Sequence, residues 1–396
     1  MTEPIRTVTD AERRARLGIR HALTERVPDP LAAAAATVCL HATELASIYL
    51  SARARSDASR TNIDRALYTE RSLVRQMAMR RTVFAFPRDL LPAVLGSAAA
   101  RVAAQQSARL ARDAVAGGLT TDGAAWVEQA CVATLDLLRQ EPATTAQLRK
   151  RLPVLGERLP PPERPGAAPT PVAPRVLTVL AAGGGVVRGS NDGGWTVSRP
   201  YWTPTETWLG GPVHPIAEAE GYAELVRRWL WAFGPGTEAD IVWWLGATKA
   251  AVRRALADLG AVAVRLEDGS PAWLHPEDVA EVRAAEPWAA LLPALDPTTM
   301  GWRGRSFYVD GPIAATVYDR AGNGKPTAWL DGRIVGGWEQ QEDGTVIVLP
   351  ATRLPRIAIT ALKHEAAQLT AWLDGNLIRS NFQSPLARGA HDDLIR

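Results

Sequence analysis

The sequence predicts an α+β fold in which tandem winged-helix modules precede a small antiparallel β-barrel or sheet and a terminal helix. The first two observations are the two places along the chain where helical segments are followed by a hairpin signal. That order of elements is typical of a winged helix. The third observation is a region from about residue 286 to 350, where short β-rich segments alternate with Gly, Asn and Asp turns.

The first predicted module covers residues 1–118 and is rich in alanine. From Glu44 the segment ELASIYLSARAR has apolar residues at helical spacing. A β-rich segment, RRTVFAF, stops at Pro87, and a long alanine-rich helix follows to about Gly117. The module therefore combines helices with a strand segment before its longest helix.

The second predicted module covers residues 119–203. One helix is expected over residues 121–139, and Thr144 or Thr145 caps a short helix, AQLRKRL. The proline-rich residues 160–174 are expected to form a loop or linker. The apolar helix RVLTVLAAG then leads into the hairpin VVRGSNDGGWTVSRP, in which NDG supplies the turn.

The third predicted module, residues 216–278, repeats this order. The amphipathic helix GYAELVRRWLWAF is followed by a second helix, EADIVWWLG, which Thr237 caps. Thr248 opens a third helix, KAAVRRALADLG, and the hairpin AVAVRLEDGSPAWL turns at Asp268 and Gly269. Two helices, a tight turn and a β-wing predict a DNA-binding module.

Residues 286–376 are predicted to form the β-barrel-like element and the C-terminal helix. The segments SFYVD, ATVYDR, PTAWLDGRIVGGWEQ and DGTVIVLP are expected strands between turns. A helix over about residues 355–373 closes this part, and the tail after Asn381 is expected to be loose.

Composition narrows the class of protein. No apolar run reaches the roughly 18 residues of a membrane span, and the first residues lack an apolar signal core, so we expect a cytoplasmic, nucleoid-associated protein without a membrane partner. Cys39 and Cys131 are too few for a usual zinc site, and no H-E-x-x-H pattern occurs. We therefore expect neither a metal nor another cofactor.

The basic residues are mostly arginines. The net charge is +3, and only four of the 45 basic residues are lysines. Arginine suits DNA because its guanidinium binds phosphate bidentately. Codon bias in a GC-rich genome would explain the same excess of arginine and alanine, so composition alone leaves both explanations open.

Four segments, in order, resemble the AlkZ/YcaQ-like superfamily of winged-helix DNA glycosylases. LHATELASIYLSARAR (residues 40–55) resembles the family's catalytic segment, in which a Q-x-Q or Q-x-D triplet precedes a helix. The others are VRQMAMRRTVFAFPRDLL (74–91), LVRRWLWAFGPGTEADIVWWLG (225–246) and LLPALDPTTMGWRGR (291–305). The resemblance implies three tandem winged helices with a β-barrel element, and an enzyme that removes alkylated bases from DNA.

The chain departs from the family pattern at the catalytic triplet. His41-Ala42-Thr43 stands where the family has Q-x-Q or Q-x-D. In the second segment, Arg81 replaces the glycine of the family's MRGT, and Phe84 replaces the histidine that follows. The resemblance thus assigns catalysis to His41 and Thr43, but with an imidazole and a hydroxyl in place of amides.

The resemblance implies that a positioned water attacks the sugar as the base leaves. A neutral imidazole has one nitrogen that accepts a hydrogen bond from water, and the Thr43 hydroxyl accepts from the same water. Each residue also has a structural interpretation: Thr43 is well placed to cap the helix that begins near Glu44, and His41 fits a hydrogen-bonded structural histidine. These interpretations stay open on sequence alone.

A further set of basic and aromatic residues is predicted to contact DNA. Phosphate contacts position the duplex and weaken with salt. For any single arginine, a solvated surface position is the simpler explanation. The set consists of Arg75, Arg80, Arg81, Arg188, Lys249, Arg253, Arg254, Trp302, Arg303 and Arg305. Asp296, in contrast, is expected to have a structural role.

The leading hypothesis is a monomeric, monofunctional DNA glycosylase that hydrolyses alkylated, including bulky or crosslinked, purines in duplex DNA. Self-resistance against a DNA-alkylating toxin is the role that the resemblance suggests. No lysine lies in the key segment, so a Schiff-base lyase is not expected. The alternatives are a non-catalytic winged-helix DNA-binding protein, acting as a regulator or lesion sensor, and a protein-interaction scaffold.

Overall fold

Helices and short strands alternate along the chain in a computed structural model, which describes residues 5–160 and 168–378. The helices are α1 (Asp10–Arg20), α2 (Pro30–Ala36), α3 (Leu45–Arg55), α4 (Arg60–Asp64), α5 (Leu91–Gly96), α6 (Ala98–Ala116), α7 (Gly123–Gln140), α8 (Thr145–Arg151), α9 (Pro153–Gly156), α10 (Ala173–Ala182), α11 (Thr205–Leu209), α12 (Glu218–Phe233), α13 (Glu238–Leu245), α14 (Lys249–Leu259), α15 (Gly311–Val317) and α16 (Arg356–Leu373). The strands are β1 (Thr7–Val8), β2 (Leu40–His41), β3 (Leu73–Ala78), β4 (Thr82–Pro87), β5 (Arg158–Leu159), β6 (Thr170–Pro171), β7 (Val186–Asn191), β8 (Pro200–Pro204), β9 (Val262–Leu266), β10 (Pro271–Leu274), β11 (Ala289–Leu292), β12 (Thr327–Leu330), β13 (Arg333–Gln340) and β14 (Val346–Pro350). The predicted α+β class is confirmed.

The chain divides into two compact units. Unit 1 joins the chain up to Ala66 with the chain from Ala223 onward, and unit 2 is Leu67–Tyr222. The boundary after Ala66 falls inside the predicted module 1–118. The finer division into four modules, three of them winged helices, stays a prediction. None of the described helices is long and apolar enough to cross a membrane.

In unit 1, the helix pair α13 and α14 leads into the hairpin β9–β10. Thr237 and Asp240 form a capping box at the start of α13, and the Thr248 hydroxyl caps α14. Gly260 ends α14 in the left-handed conformation, which glycine adopts without a steric penalty. These caps and the hairpin confirm the sequence prediction. Strand β1, which pairs in parallel with β9, was not predicted.

A four-stranded antiparallel sheet forms the C-terminal part of unit 1. Its order is β11-β12-β13-β14, so β11 and β14 are its edges. Helix α16 packs against both edge strands. The sheet is open, which corrects the predicted barrel in favour of the predicted sheet. The expected strands SFYVD and ATVYDR are also wrong. Residues 306–308 form a turn, and the first three residues of ATVYDR lie in helix α15, where Pro312 in the first turn needs no backbone N–H.

Aromatic rings fill the centre of unit 1. Trp302 contacts Phe233, Phe307 and Tyr308 with ring centroids 5.1 to 5.9 Å apart, and its Nε1 donates to the Phe233 carbonyl at 3.0 Å. His21 stacks on Trp302 with centroids 5.8 Å apart. Burial of such large rings supplies much of the driving force for packing.

Unit 2 combines the antiparallel strand pairs β3–β4, β5–β6 and β7–β8 with helices. Strands β3 and β4 pair from Leu73 opposite Pro87 to Ala78 opposite Thr82, and α6, α7 and α10 pack on one another. Thr144 caps α8 through a capping box, and the predicted hairpin β7–β8 forms. Residues 161–167 of the proline-rich insert, like the tail after Asn381, lie outside the described residues.

Candidate functional site

The predicted catalytic histidine lies on strand β2 of unit 1, just before α3. The His41 side chain is buried, with 8% of its surface exposed, whereas Thr43 is exposed. The Thr43 backbone N–H donates to His41 Nδ1 at 3.4 Å. The two residues of the triplet are therefore in direct contact, through the backbone of one and the ring of the other.

This contact bears on which nitrogen of His41 carries a proton. While Nδ1 accepts from the Thr43 N–H, the proton of a neutral imidazole lies on Nε2. Nε2 is then a hydrogen-bond donor. At 3.4 Å the bond to Nδ1 is long, so exchange to the other tautomer costs little.

Thr43 does not cap the following helix. The N-cap residue of α3 is Glu44, and no side chain bonds to the backbone at that end of the helix. The predicted capping role of Thr43 is therefore wrong. Its exposed side chain leaves its hydroxyl accessible.

A buried polar network links α3 to Asp296. Arg55 donates to both carboxylate oxygens of Asp296, at 2.6 and 2.8 Å, and Ser51 Oγ donates to Asp296 at 2.7 Å. Burial alone would raise the pKa of Asp296, but the Arg55 charge and these hydrogen bonds hold it below its ordinary value. Asp296 thus has the expected structural role, and the network fixes the helix that follows the triplet.

The β3–β4 hairpin of unit 2 turns through two exposed arginines in the left-handed conformation. Arg80 has a φ of 54° and Arg81 a φ of 61°. This conformation favours glycine, which the family has where Arg81 stands. The turn therefore keeps two exposed arginines at a conformational cost, an arrangement that is frequent at functional sites.

Two other predicted contacts in unit 2, Arg75 and Arg188, lie next to each other. Arg75 is 4% exposed, and its guanidinium donates to the carbonyls of Arg188 (3.0 Å from Nε) and Gly189. The predicted phosphate contact of Arg75 is thus replaced by a structural role. Burial and the charge of Arg75 lower the pKa of the half-buried Arg188 to about 10.

Helix α14 of unit 1 carries three exposed basic residues, as predicted for a groove-reading helix. Arg253 pairs with Glu238, with 2.6 Å between Arg253 Nε and Glu238 Oε2, and Arg254 lies 3.5 Å from Asp258. Lys249 begins the helix and is exposed. A phosphate would compete with these carboxylates, but exposed ion pairs contribute little and exchange readily.

The three residues of the predicted turn, Trp302, Arg303 and Arg305, differ in how far they are buried. Trp302 is 2% exposed, and Arg305 is half-buried and donates to the carbonyls of Trp302 and Gly322. Both side chains make contacts within the fold, so neither is kept among the proposed phosphate contacts. Arg303 alone of the three is exposed among the described residues.

Asp240 holds this turn, and the sequence analysis missed it. One of its carboxylate oxygens accepts from the backbone N–H groups of Arg303 and Gly304, each at 2.9 Å. The other accepts from Thr237, whose hydroxyl donates at 2.7 Å. The T-E-A-D capping pattern was a visible signal for the bond to Thr237, but the link to Arg303 is a long-range contact.

Across residues 5–160 and 168–378, no three His, Cys, Asp or Glu side chains form a group that would hold a metal ion. Cys39 is buried and Cys131 half-buried, and neither forms a disulfide.

Comparison with known proteins confirms the family resemblance. Residues 34–372 match the family described as DNA glycosylase AlkZ-like. The solved structure of Streptomyces sahachiroi DNA glycosylase AlkZ is similar with a TM-score of 0.71 at 21% identity, covering 94% of this chain and 98% of that one. That likeness establishes the fold, and no curated protein matches the chain. Because the family match spans most of the sequence, the chain belongs to the AlkZ-like DNA glycosylase family.

Proposed function

We propose that the protein is a monofunctional DNA glycosylase that hydrolyses the N-glycosidic bond of alkylated purines in duplex DNA. Family membership supports the reaction class. One observation carries the assignment to this site: His41, at the position of a family glutamine, keeps 8% of its surface exposed and contacts Thr43. The imidazole is thus in contact with the backbone of the residue that carries the hydroxyl, just before α3.

Hydrolysis of an alkylated purine nucleotide does not require a strongly acidic or basic side chain. A purine alkylated at N7 or N3 is already cationic and is a good leaving group, so strong general-acid catalysis is unnecessary. The sugar passes through an oxocarbenium-like state, as in glycoside hydrolysis. A neutral His41 can orient the attacking water, and the Thr43 hydroxyl can accept from it. A protonated His41 would repel the developing positive charge.

The exposed basic residues are the proposed phosphate contacts. In unit 2 these are Arg80 and Arg81, and in unit 1 they are Lys249, Arg253, Arg254 and Arg303. Each guanidinium or ammonium that neutralises a phosphate releases a counterion, so affinity for duplex DNA is expected to fall steeply with salt.

Substitution at His41 tests its proposed role. His41→Ala is expected to abolish release of 7-methylguanine from an alkylated duplex, because the water loses its orienting group. His41→Gln restores the family residue and is expected to keep measurable activity. His364→Ala, which removes an exposed histidine of α16, is the matched control and is expected to retain wild-type activity. Full activity of the His41→Ala protein would remove His41 from the mechanism.

The substrate range calls for a panel of adducts. Self-resistance against a DNA-alkylating toxin predicts faster release of a bulky N7 adduct than of 7-methylguanine from the same duplex. Equal or slower release of the bulky base would oppose that role and leave the reaction class unchanged.

A non-catalytic DNA-binding protein, acting as a regulator or lesion sensor, is the second candidate. The observation that favours it is the loss of both family triplet side chains at His41 and Thr43. It predicts binding to duplex DNA with no base release from any alkylated substrate.

A further inference from the structure

Arg188 occupies an unusual position on the β7–β8 hairpin of unit 2. It lies directly opposite Trp202 in the antiparallel pair, and its guanidinium carbon is 5.7 Å from the centre of the Trp202 ring. Trp202 is itself fixed, because its Nε1 donates to Thr145 Oγ1 at 3.0 Å and only 6% of it is exposed. The ring therefore forms a rigid wall beside the guanidinium.

The nearest charge to Arg188 has the same sign. Arg75 packs against the same strand, since its guanidinium donates to the carbonyls of Arg188 and Gly189. Those bonds hold Arg75 in place, so it cannot move away from Arg188. Two positive charges are thereby kept together in a partly desolvated place, which is unfavourable without an anion.

Among the described residues, no carboxylate pairs with Arg188, and the Trp202 ring is the group that faces its charge. In the described part of the chain its side chain makes neither an ion pair nor a hydrogen bond, and its Nε is buried without a partner. Buried arginines of unit 1 differ: Arg16 pairs with Glu12 and Asp278, and Arg55 pairs with Asp296. The charge at Arg188 differs from these two in having no carboxylate partner among the described residues.

We propose that Arg188 anchors a site for a backbone phosphate of DNA on the β7–β8 hairpin, with Arg75 as its positioning residue. Arg188 is half-buried rather than fully buried. Its Nε is sealed, so the proposed contact is made by the outer nitrogens of the guanidinium. A phosphodiester oxygen there would accept from the guanidinium and neutralise the paired charges in one contact. The inference rests on the proposed function, because it takes duplex DNA as the partner.

The test measures binding of full-length protein to an undamaged fluorescent duplex over a range of KCl concentrations. Arg188→Gln is expected to weaken binding about tenfold, as expected for one charge-assisted contact. The slope of log K against log salt should become shallower by about 0.9, the value for one phosphate. Arg139→Gln is the control, because Arg139 is exposed on α7 and already pairs with Asp136; it should leave both quantities unchanged.

Thermal unfolding without DNA separates a ligand site from a structural arginine. Removing an uncompensated charge should leave the melting temperature of Arg188→Gln at or above that of the wild type. A lower melting temperature with an unchanged salt slope would overturn the site. An unchanged slope, with inorganic phosphate stabilising the wild type but not the variant, would mean a free-anion site and would also overturn it.

The two proposals fail in different ways. If wild-type protein binds duplex DNA and Arg188→Gln keeps its affinity and slope, this site is wrong and the glycosylase proposal stands. If the wild-type protein does not bind duplex DNA at any salt concentration, both are wrong.

Discussion

His21 is fully buried in unit 1, where the fold engages both of its ring nitrogens. Nδ1 lies 2.8 Å from Thr298 Oγ1, and Nε2 lies 3.1 Å from the Ala232 carbonyl. A neutral ring satisfies both, with Nε2 donating to the carbonyl and Nδ1 accepting from the hydroxyl. Burial, reinforced by the charge of Arg55, lowers the pKa of His21 to about 3.

This shift makes the stability of the protein depend on pH. The folded-state pKa lies below the unfolded value of 6.5, so the stabilisation is complete above pH 6.5 and is lost as the pH falls towards 3. One proton bound only on unfolding gives a loss of roughly 1 kcal/mol per pH unit in that window. Urea unfolding of wild type and His21→Gln at neutral and acidic pH measures how the free energy of unfolding of each protein changes with pH. An equal change in both proteins would contradict the lowered pKa of His21.

Arg81 gives a second prediction for a single residue. Because its φ of 61° is left-handed, Arg81→Gly should stabilise unit 2 by about 1 kcal/mol while lowering the affinity for DNA. Arg139→Gly within helix α7 is the opposite control, expected to destabilise by about 1 kcal/mol. Melting temperatures and duplex binding measure both effects, and a destabilised Arg81→Gly protein would refute the argument from strain.

Helix starts show that local chemistry was predictable from sequence. Thr237 and Thr248 cap their helices as predicted, and Thr144 is the one of the two predicted candidates that caps α8, because a capping bond spans only three residues. Thr43 was predicted by the same rule and is wrong, since α3 begins one residue later, after Glu44. The strand predicted at ATVYDR did not form, because its first three residues lie in helix α15, which begins with Gly311 and Pro312.

The cap of α13 also supports the turn that carries Arg303. Asp240→Asn would place an amide donor next to backbone N–H donors, leaving buried groups unsatisfied at a cost of about 1–3 kcal/mol. Thr248→Ala, which removes a cap without this second link, should cost about 1 kcal/mol. Thermal unfolding compares the two variants. An Asp240→Asn protein as stable as wild type would show that the link is unimportant.

At the scale of the whole molecule, the family was predictable and the burial of its site residues was not. Four short motifs in the right order were enough, because each combines helix and turn signals with particular residues, and the match over residues 34–372 confirms them. Arg75 was predicted to contact DNA from its charge and position, and Trp302 and Arg305 from the resemblance of their turn to the family's. Burial depends on contacts between distant segments, such as Arg75 with Gly189 and Trp302 with Phe233, which no local pattern encodes.

Cleavage of the bond between an alkylated purine and its sugar can be followed by incubating wild-type protein with a duplex that carries one N7-alkylguanine. We expect free alkylguanine in solution and a strand that stays intact until hot alkali breaks it at the abasic site. If the protein binds the duplex tightly yet releases no base, for any simple or bulky adduct, it is not a glycosylase.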